Sequence, residues 1–166
     1  MPQVAAEAFP SFFEGAGFLR VLEGIRIGSS GSDSVELPDP VDVASFEDMF
    51  ADATLGVEFA VILADVQQPG ARLVSVNDAF VALTGYPADE AVGQNCRFLQ
   101  GEDTEQEAVQ QLVDALRAAS PVQLELTNYA RDGSRFRNLL SLQPVHDSRG
   151  VFRYCIGVLA DAEKLS

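Results

Sequence analysis

The sequence predicts an α+β fold, in which a five-stranded antiparallel sheet carries short helices on one face and follows an N-terminal helical extension. Two β-rich runs, separated by the turn-forming residues 67–70 (QQPG), begin near residue 57. Three further β-rich runs occupy residues 122–160, and short helical patterns lie between the two groups. Because hairpins stand at both ends and the helices lie between them, one sheet covered by helices is the expected architecture.

The N-terminal extension, residues 1–55, carries much of the negative charge. It holds ten acidic residues and two arginines, which gives −8, while the whole chain carries −14. Apolar residues recur at three- and four-residue steps over residues 10–27 and predict an amphipathic helix. The next stretch, residues 28–40 (GSSGSDSVELPDP), combines turn-forming and acidic residues, so a flexible linker is expected there.

A second short helix is predicted at the end of this extension. Its apolar side would consist of Phe46, Met49 and Phe50, which recur at helical spacing. Ser45 or Asp42 would cap its first turn, since both side chains accept hydrogen bonds from free backbone N–H groups.

The sheet domain is predicted over residues 56–161, with a short tail at residues 162–166. After the first hairpin, Asn77 is expected to cap a short helix that ends at the next glycine. The longest helix is expected to begin with a capping box formed by Thr104 and Glu107. It should end before the proline that precedes the third strand.

The composition is that of an ordinary globular protein. Apolar residues make up 47% of the chain, and no apolar run approaches the roughly 18 residues that span a bilayer. A net charge of −14 repels nucleic acid and anionic lipid. The two cysteines, without an N-terminal secretory pattern, provide no disulfide framework. We therefore expect a cytoplasmic protein that binds neither membrane nor nucleic acid.

The most informative stretch is residues 93–101, GQNCRFLQG, where a cysteine, an arginine and two amides lie between two glycines. A small polar ligand can approach the backbone there. Taken alone, Cys96 is best interpreted as a packing residue, since free cysteine is among the most buried residue types. Asn128 and Asn138 stand inside predicted strands, where asparagine is unfavourable, so both amides need a buried partner.

The motif NCRFLQ, with NY 32 residues after the cysteine and RNLL about ten residues further, resembles the light-oxygen-voltage (LOV) flavin photoreceptor domains of the PAS superfamily. The similarity extends from Val57 to Asp161, with DG, LQP and IGV in register. It implies a PAS/LOV fold and a blue-light photosensory module that binds FMN, not an enzyme. In that family a cysteine bonds reversibly to flavin C4a after blue-light excitation, and the resemblance assigns this role to Cys96.

The resemblance also assigns the flavin contacts. Arg97 matches the arginine that pairs with the FMN phosphate, a task that suits a guanidinium because its charge is fixed. Asn95 and Gln100 match ribityl and ring contacts, while Asn128 and Asn138 match the amides that bind the pyrimidine edge. An amide offers both a donor and an acceptor, as that edge requires. The apolar ring pocket and adjoining core are expected to include Ile62, Leu73, Leu83, Phe98, Leu124, Leu126, Phe136, Leu140 and Leu142.

Two polar residues that the family places near flavin N5 are missing from this sequence. Leu159 stands where the family has a glutamine that contacts N5 and O4, and Ala60 replaces an asparagine found in some relatives. In the family this glutamine rotates when the bond forms, so signalling is expected to be altered here. We expect the bond to form but to decay slowly, because no amide assists removal of the N5 proton.

A second phosphate-binding arginine of the family is also absent, since Val113 occupies its position. Arg117, one helical turn later on the same face, is expected to reach the phosphate instead. Without that contact the phosphate contributes less to affinity, and riboflavin or FAD can then compete with FMN.

Several alternatives stay open. A flavin-based redox sensor would use Cys96 to report oxidation, and a flavin-free PAS interaction domain would only retain the motif. A hydrolase pair of Cys96 and His146 lacks an accompanying acid and oxyanion element. Cys155 shares the strand face of Leu159 and is expected to pack as an apolar residue, with a second reactive thiol as the alternative.

The expected partner, besides flavin, is a second copy of the chain. An apolar helix stripe must cover the sheet, pair with another copy or bind a partner protein. We therefore expect a homodimer formed through the N-terminal helix and the sheet face. The resemblance also implies that an effector domain or a partner protein receives the signal.

Overall fold

A computed structural model of the chain describes residues 35–36, 43–147 and 149–164. Its strands and helices are, in chain order, β1 (Val35–Glu36), α1 (Val43–Ala53), β2 (Ala60–Asp65), β3 (Arg72–Val76), α2 (Asp78–Thr84), α3 (Ala88–Ala91), α4 (Gln106–Ala118), β4 (Val122–Tyr129), β5 (Arg135–His146) and β6 (Phe152–Asp161). Short 3₁₀ helices occupy Cys96–Leu99 and Ala162–Lys164. The predicted helix over residues 10–27 lies outside the described residues.

The five longer strands form one antiparallel sheet in the order β3-β2-β6-β5-β4, which confirms the predicted fold. The two-residue strand β1 adds to this sheet by pairing in parallel with the end of β5, where Val35 lies opposite Val145. The interpretation of residues 28–40 as a flexible linker missed this pairing. The reason is that β1 pairs with the last residues of β5, which extend past the first residue of β4 and so leave a free sheet edge. No local sequence pattern reveals such an edge.

One face of the sheet is covered by α1. Phe46 and Phe50 are fully buried, and the Phe46 ring lies 4.8 Å from the ring of Tyr154 on β6. The hydroxyl of Tyr154 donates a hydrogen bond to Glu47 at 3.1 Å. The predicted second helix is thus confirmed and belongs to the folded core. It begins at Val43, so Ser45 lies inside it and not before its first residue, and the other predicted cap, Asp42, lies outside the described residues.

The opposite face carries α2, α3, the first 3₁₀ helix and α4. Asn77 caps α2 as predicted, because its side-chain oxygen accepts from the N–H of Phe80 at 3.1 Å. The same oxygen accepts from Val61 on β2 at 2.9 Å, and the amide nitrogen donates to the carbonyl of Phe59 at 2.8 Å. Gly85, with a φ of 77°, ends the helix in the left-handed region. Asn77 therefore fixes α2 against the sheet.

The start of α4 differs from the prediction. The capping box of Thr104 and Glu107 is wrong, since the Thr104 hydroxyl donates to the carbonyl of Thr127 on β4 at 2.7 Å. The same hydroxyl accepts from the N–H of Gly101 at 2.9 Å. The hydroxyl thus satisfies a free backbone group of the edge strand instead of one at the helix start, and this partner is distant in sequence.

Candidate functional site

A cavity of about 280 Å³ lies between the sheet and the segment formed by the first 3₁₀ helix and α4. Its walls are largely apolar with a few amides and one arginine, which is typical of small-molecule sites. Of the cysteine, amides and arginines to which the resemblance assigns flavin contacts, all but Arg117 line it. The lining residues are Ile62, Asn95, Cys96, Arg97, Leu99, Gln100, Val109, Leu112, Val113, Leu116, Leu126, Asn128, Asn138, Leu140, Leu142 and Leu159.

Two buried amides from neighbouring strands meet at one end of this cavity. The side-chain nitrogen of Asn138 donates to the side-chain oxygen of Asn128 at 2.9 Å, and Asn128 donates to the carbonyl of Thr127 at 3.2 Å. The side-chain oxygen of Asn138 is buried and accepts no hydrogen bond from any described residue. Because an unsatisfied buried acceptor costs about 1–3 kcal/mol, this oxygen marks a place for a ligand donor.

The cysteine is held by the backbone of a short 3₁₀ helix that Asn95 caps. The Asn95 oxygen accepts from the N–H of Arg97 at 2.9 Å, and its nitrogen donates to the carbonyl of Gly70 in the β2–β3 turn. The N–H of Gln100 closes the turn by donating to the carbonyl of Arg97 at 2.9 Å. Cys96 follows the cap directly, so its position in the cavity depends on these local hydrogen bonds.

Cys96 is half-buried and lines the cavity. Burial raises the pKa of Cys96 to about 12, because a thiolate is poorly solvated there. The sulfur therefore carries its proton at neutral pH. This favours a reaction in which the thiol supplies both its sulfur and its proton. It disfavours a reaction in which a thiolate acts as the nucleophile, as in cysteine proteases.

The second cysteine lies deeper in the sheet. Cys155 is 4% exposed and does not line the cavity. Burial, and secondarily the charge of a Cys96 thiolate, raises the pKa of Cys155 to about 12. A protonated, enclosed thiol favours the packing interpretation over that of a second reactive group.

The two arginines assigned to phosphate occupy different places. Arg97 is exposed and lines the cavity, whereas Arg117 lines an adjacent groove with residues of the β2–β3 turn and Phe152. Leu116 lines both spaces, so the groove adjoins the cavity. Among the described residues neither guanidinium forms an ion pair, although the chain carries a net charge of −14.

The sheet side of the cavity wall consists mainly of apolar residues from β2, β4, β5 and β6. Gly157 faces the wall, and a Cβ there would lie 2.7 Å from Ile62 and 3.2 Å from Leu142, so the glycine allows these two cavity-lining side chains to pack against β6. Leu73 and Leu124 belong to the same core, and Leu83 and Phe98 pack against it. The predicted core residue Phe136 is only partly buried and belongs to neither core cluster among the described residues.

The helical side of the cavity contains residues that the sequence did not assign to the site. Val109, Leu112 and Leu116 lie on one face of α4 and line the cavity together with Leu99 from the 3₁₀ helix. Their spacing of three and four residues indicates an apolar helix face but not what that face covers. An apolar stripe on a helix is compatible with core packing as much as with a ligand wall.

His146 does not approach the cysteine in the cavity. It lies at the end of β5 with its ring 5.6 Å from that of Phe152, outside the cavity lining. The geometry therefore does not support a Cys96 and His146 pair. In the described part of the chain, no three potential metal-ligating side chains come together, and no helix has the length and hydrophobicity to cross a membrane.

Known proteins with similar sequences are photoreceptors. A family model described as a PAS domain matches residues 58–163. Blue-light-activated histidine kinase 1 of Erythrobacter litoralis is 34% identical over 142 residues, covering 85% of this chain and 39% of the kinase. Phototropin-2 of Oryza sativa subsp. japonica is 37% identical over 105 residues, covering 63% of this chain and 12% of the phototropin.

Solved structures agree with the sequence comparison. The LOV domain of a blue-light activated histidine kinase from Erythrobacter litoralis has a TM-score of 0.62 and 40% identity, over 64% of this chain and 97% of that domain. A variant of the fungal photoreceptor VVD has a TM-score of 0.59 and 32% identity, over 61% of this chain and 76% of the other. The chain spans less than half the length of both curated relatives. It belongs to the PAS domain family and, within it, to the LOV blue-light photoreceptor domains.

Proposed function

We propose that the chain is a blue-light sensory module that binds FMN and in which Cys96 bonds reversibly to the flavin. The observation that carries this proposal is the unpartnered oxygen of Asn138, buried in the cavity that Cys96 also lines. Bound flavin would absorb blue light and present an excited, electrophilic C4a carbon. The pairing of a free acceptor with a protonated thiol in one apolar cavity fits this group.

The amide pair supports recognition of the pyrimidine edge of a flavin. The oxygen of Asn138 is free to accept from the ring N–H, and Asn128 orients Asn138 by accepting from its nitrogen at 2.9 Å. Gly157 allows the cavity-lining side chains of Ile62 and Leu142 to pack against β6, because any larger residue would meet them. Both features suit a flat ring bound between the sheet and the 3₁₀ helix.

The protonation state of Cys96 supports the reaction. With a pKa of about 12, the thiol brings both a sulfur and a proton to the site. Cys96 would supply the sulfur that bonds to the flavin ring together with the proton that balances this addition. No external electron donor is needed, and the reverse step restores the thiol.

Arg97 is proposed to bind the phosphate of FMN. Its guanidinium is exposed, lines the cavity and has no carboxylate partner among the described residues. A phosphate at the open end of the cavity would give this charge a partner without burying it. Val113 lines the same cavity and offers no second charge, which leaves riboflavin and FAD as competitors.

Signal output is proposed to differ from that of glutamine-bearing relatives, because Leu159 lines the cavity in that position. Leucine has no polar group that can follow a change in flavin protonation. The homodimer stays a prediction, since the predicted N-terminal helix that would form it lies outside the described residues. The cytoplasmic location also stays a prediction.

Absorption spectroscopy of the purified chain tests this function. We expect a yellow protein whose structured blue band disappears on illumination and returns in the dark. Cys96→Ala should keep the flavin but lose the light-induced change, while Cys155→Ala should behave as wild type. A colourless folded protein would favour the flavin-free interaction domain. A spectrum that responds to peroxide in the dark but not to light would favour the redox sensor.

A further inference from the structure

Glu105, which directly precedes α4, binds the edge strand β4 at a single residue. One carboxylate oxygen of Glu105 accepts from the backbone N–H of Thr127 at 2.8 Å, and the other accepts from the Thr127 hydroxyl at 2.7 Å. The neighbouring Thr104 hydroxyl donates to the carbonyl of Thr127 at 2.7 Å. Both backbone groups of Thr127 are therefore satisfied from outside the sheet.

Arg137 joins this arrangement from the neighbouring strand. It lies opposite Thr127 in the register of β4 and β5 and donates to Glu105 at 2.6 Å and to the Thr127 hydroxyl at 2.8 Å. It also donates to Glu125 at 2.9 Å. We call Glu105, Thr127, Arg137 and Glu125 the Thr127 network. It lies on the sheet face opposite the cavity-lining amides, since neighbouring residues of a strand face opposite sides.

The Thr127 network adjoins both flavin-binding amides. Thr127 directly precedes Asn128 and Arg137 directly precedes Asn138, so the network fixes the two strands one residue before each amide. The carbonyl of Thr127 also accepts from the side chain of Asn128 at 3.2 Å. A continuous series of hydrogen bonds thus leads from the start of α4 through Thr127 and Asn128 to the free oxygen of Asn138.

We propose that Glu105 is a positioning residue for flavin recognition, which holds Thr127 and Arg137 so that the Asn128 and Asn138 amides meet the pyrimidine edge in a single orientation. This inference rests on the proposed flavin function. Glu105 does not line the cavity, and it acts through the backbone N–H and hydroxyl of Thr127 and the guanidinium of Arg137. A buried amide pair needs such support, because an asparagine side chain can turn over and exchange its donor and acceptor.

The test compares Glu105→Gln with Glu90→Gln in the full chain. Glu90 forms an exposed ion pair with Arg131, at 2.6 and 3.0 Å, that does not involve the cavity-lining amides. Infrared spectra of bound FMN report the hydrogen bonds at the two flavin carbonyls, and titration of the apoprotein gives the dissociation constant. We expect Glu105→Gln to shift the carbonyl bands and to weaken FMN binding about fivefold, while Glu90→Gln changes neither.

A double variant separates positioning from general stability. In an Asn138→Ala background, Glu105→Gln should cause a smaller shift than in the wild-type background, because one of the two amides through which it acts is gone. Equal effects of Glu105→Gln and Glu90→Gln, or an undiminished effect of Glu105→Gln beside Asn138→Ala, would overturn the inference. Wild-type protein that binds FMN with bands unchanged in Glu105→Gln would overturn only the role of Glu105. Wild-type protein that fails to bind FMN would overturn the flavin function as well.

Discussion

Leu159 on β6 and Ala60 on β2 lie directly opposite each other in the sheet. Both are almost fully buried, and Leu140 on β5 lies on the other side of Leu159. The two positions at which polar groups of the family are absent from the sequence thus form one continuous apolar surface. In the proposed flavin site, this surface would offer neither a hydrogen-bond donor nor an acceptor to the part of the ring that gains and loses the proton.

The first prediction concerns the return to the dark state. Leu159→Gln should speed recovery about 10- to 100-fold, because the amide can assist removal of the N5 proton. The same change should move the blue absorption band to longer wavelength by adding a hydrogen bond to O4. Recovery is timed by absorption after a light pulse. Leu159→Met, which keeps the volume without an amide, is the control, and unchanged or slower recovery in Leu159→Gln would contradict the idea.

The second prediction concerns the phosphate. Arg97→Gln should raise the dissociation constant for FMN about tenfold, because a charge-assisted hydrogen bond is lost, and should leave that for riboflavin unchanged. Arg72→Gln, an exposed arginine on β3 outside the cavity lining, is the matched control. Fluorescence titration of the apoprotein measures both ligands. Arg117→Gln tests whether Arg117 also contacts the phosphate. A loss of FMN affinity equal to that of Arg97→Gln would place both guanidiniums at the phosphate, and an unchanged affinity would leave Arg97 alone there.

Patterns that repeat along the chain predicted most of the fold. The alternation and turns of the strands gave one antiparallel sheet, and Asn77 was recognisable as a cap because its partner Phe80 lies three residues away. The motif around Cys96 brought together residues that do line one cavity. In each of these cases the interacting groups are close in sequence, or the pattern repeats often enough to be seen.

Features that depend on distant partners were not predictable. Thr104 resembled the start of a capping box, but its hydroxyl bonds to Thr127, 23 residues away. Glu105 carried no signal of its own, since its partners lie on two strands that the sequence does not align. The pairing of β1 with β5 likewise depends on a sheet edge that exists only after folding. Local chemistry cannot specify which of several possible partners a polar side chain will meet.

The third prediction tests the space beside the flavin ring. A methyl group in Gly157→Ala would lie 2.7 Å from Ile62, whose side chain lines the cavity, so one of them must move. We expect the free energy of unfolding to fall by about 1–3 kcal/mol and FMN binding to weaken, as overpacking displaces the wall. Denaturant unfolding of apoprotein and flavin titration measure the two effects. Unchanged FMN affinity would show that this wall does not border the ring.

The last prediction concerns acid stability. Desolvation acts to raise the pKa of Glu105, but hydrogen bonds from Thr127 and Arg137 outweigh it and lower this pKa to about 2. A lowered pKa contributes stability above the unfolded value of 4.5, and this contribution is lost as the pH falls from 4.5 to about 2. Because the Glu105 side chain is 38% exposed, solvent screening reduces the contribution to about 1 kcal/mol. Denaturant unfolding should therefore show Glu105→Gln less stable than wild type at pH 7, with the two curves converging towards pH 2. Curves that stay parallel over this range would mean that the carboxylate charge does not stabilise the junction of α4 and β4.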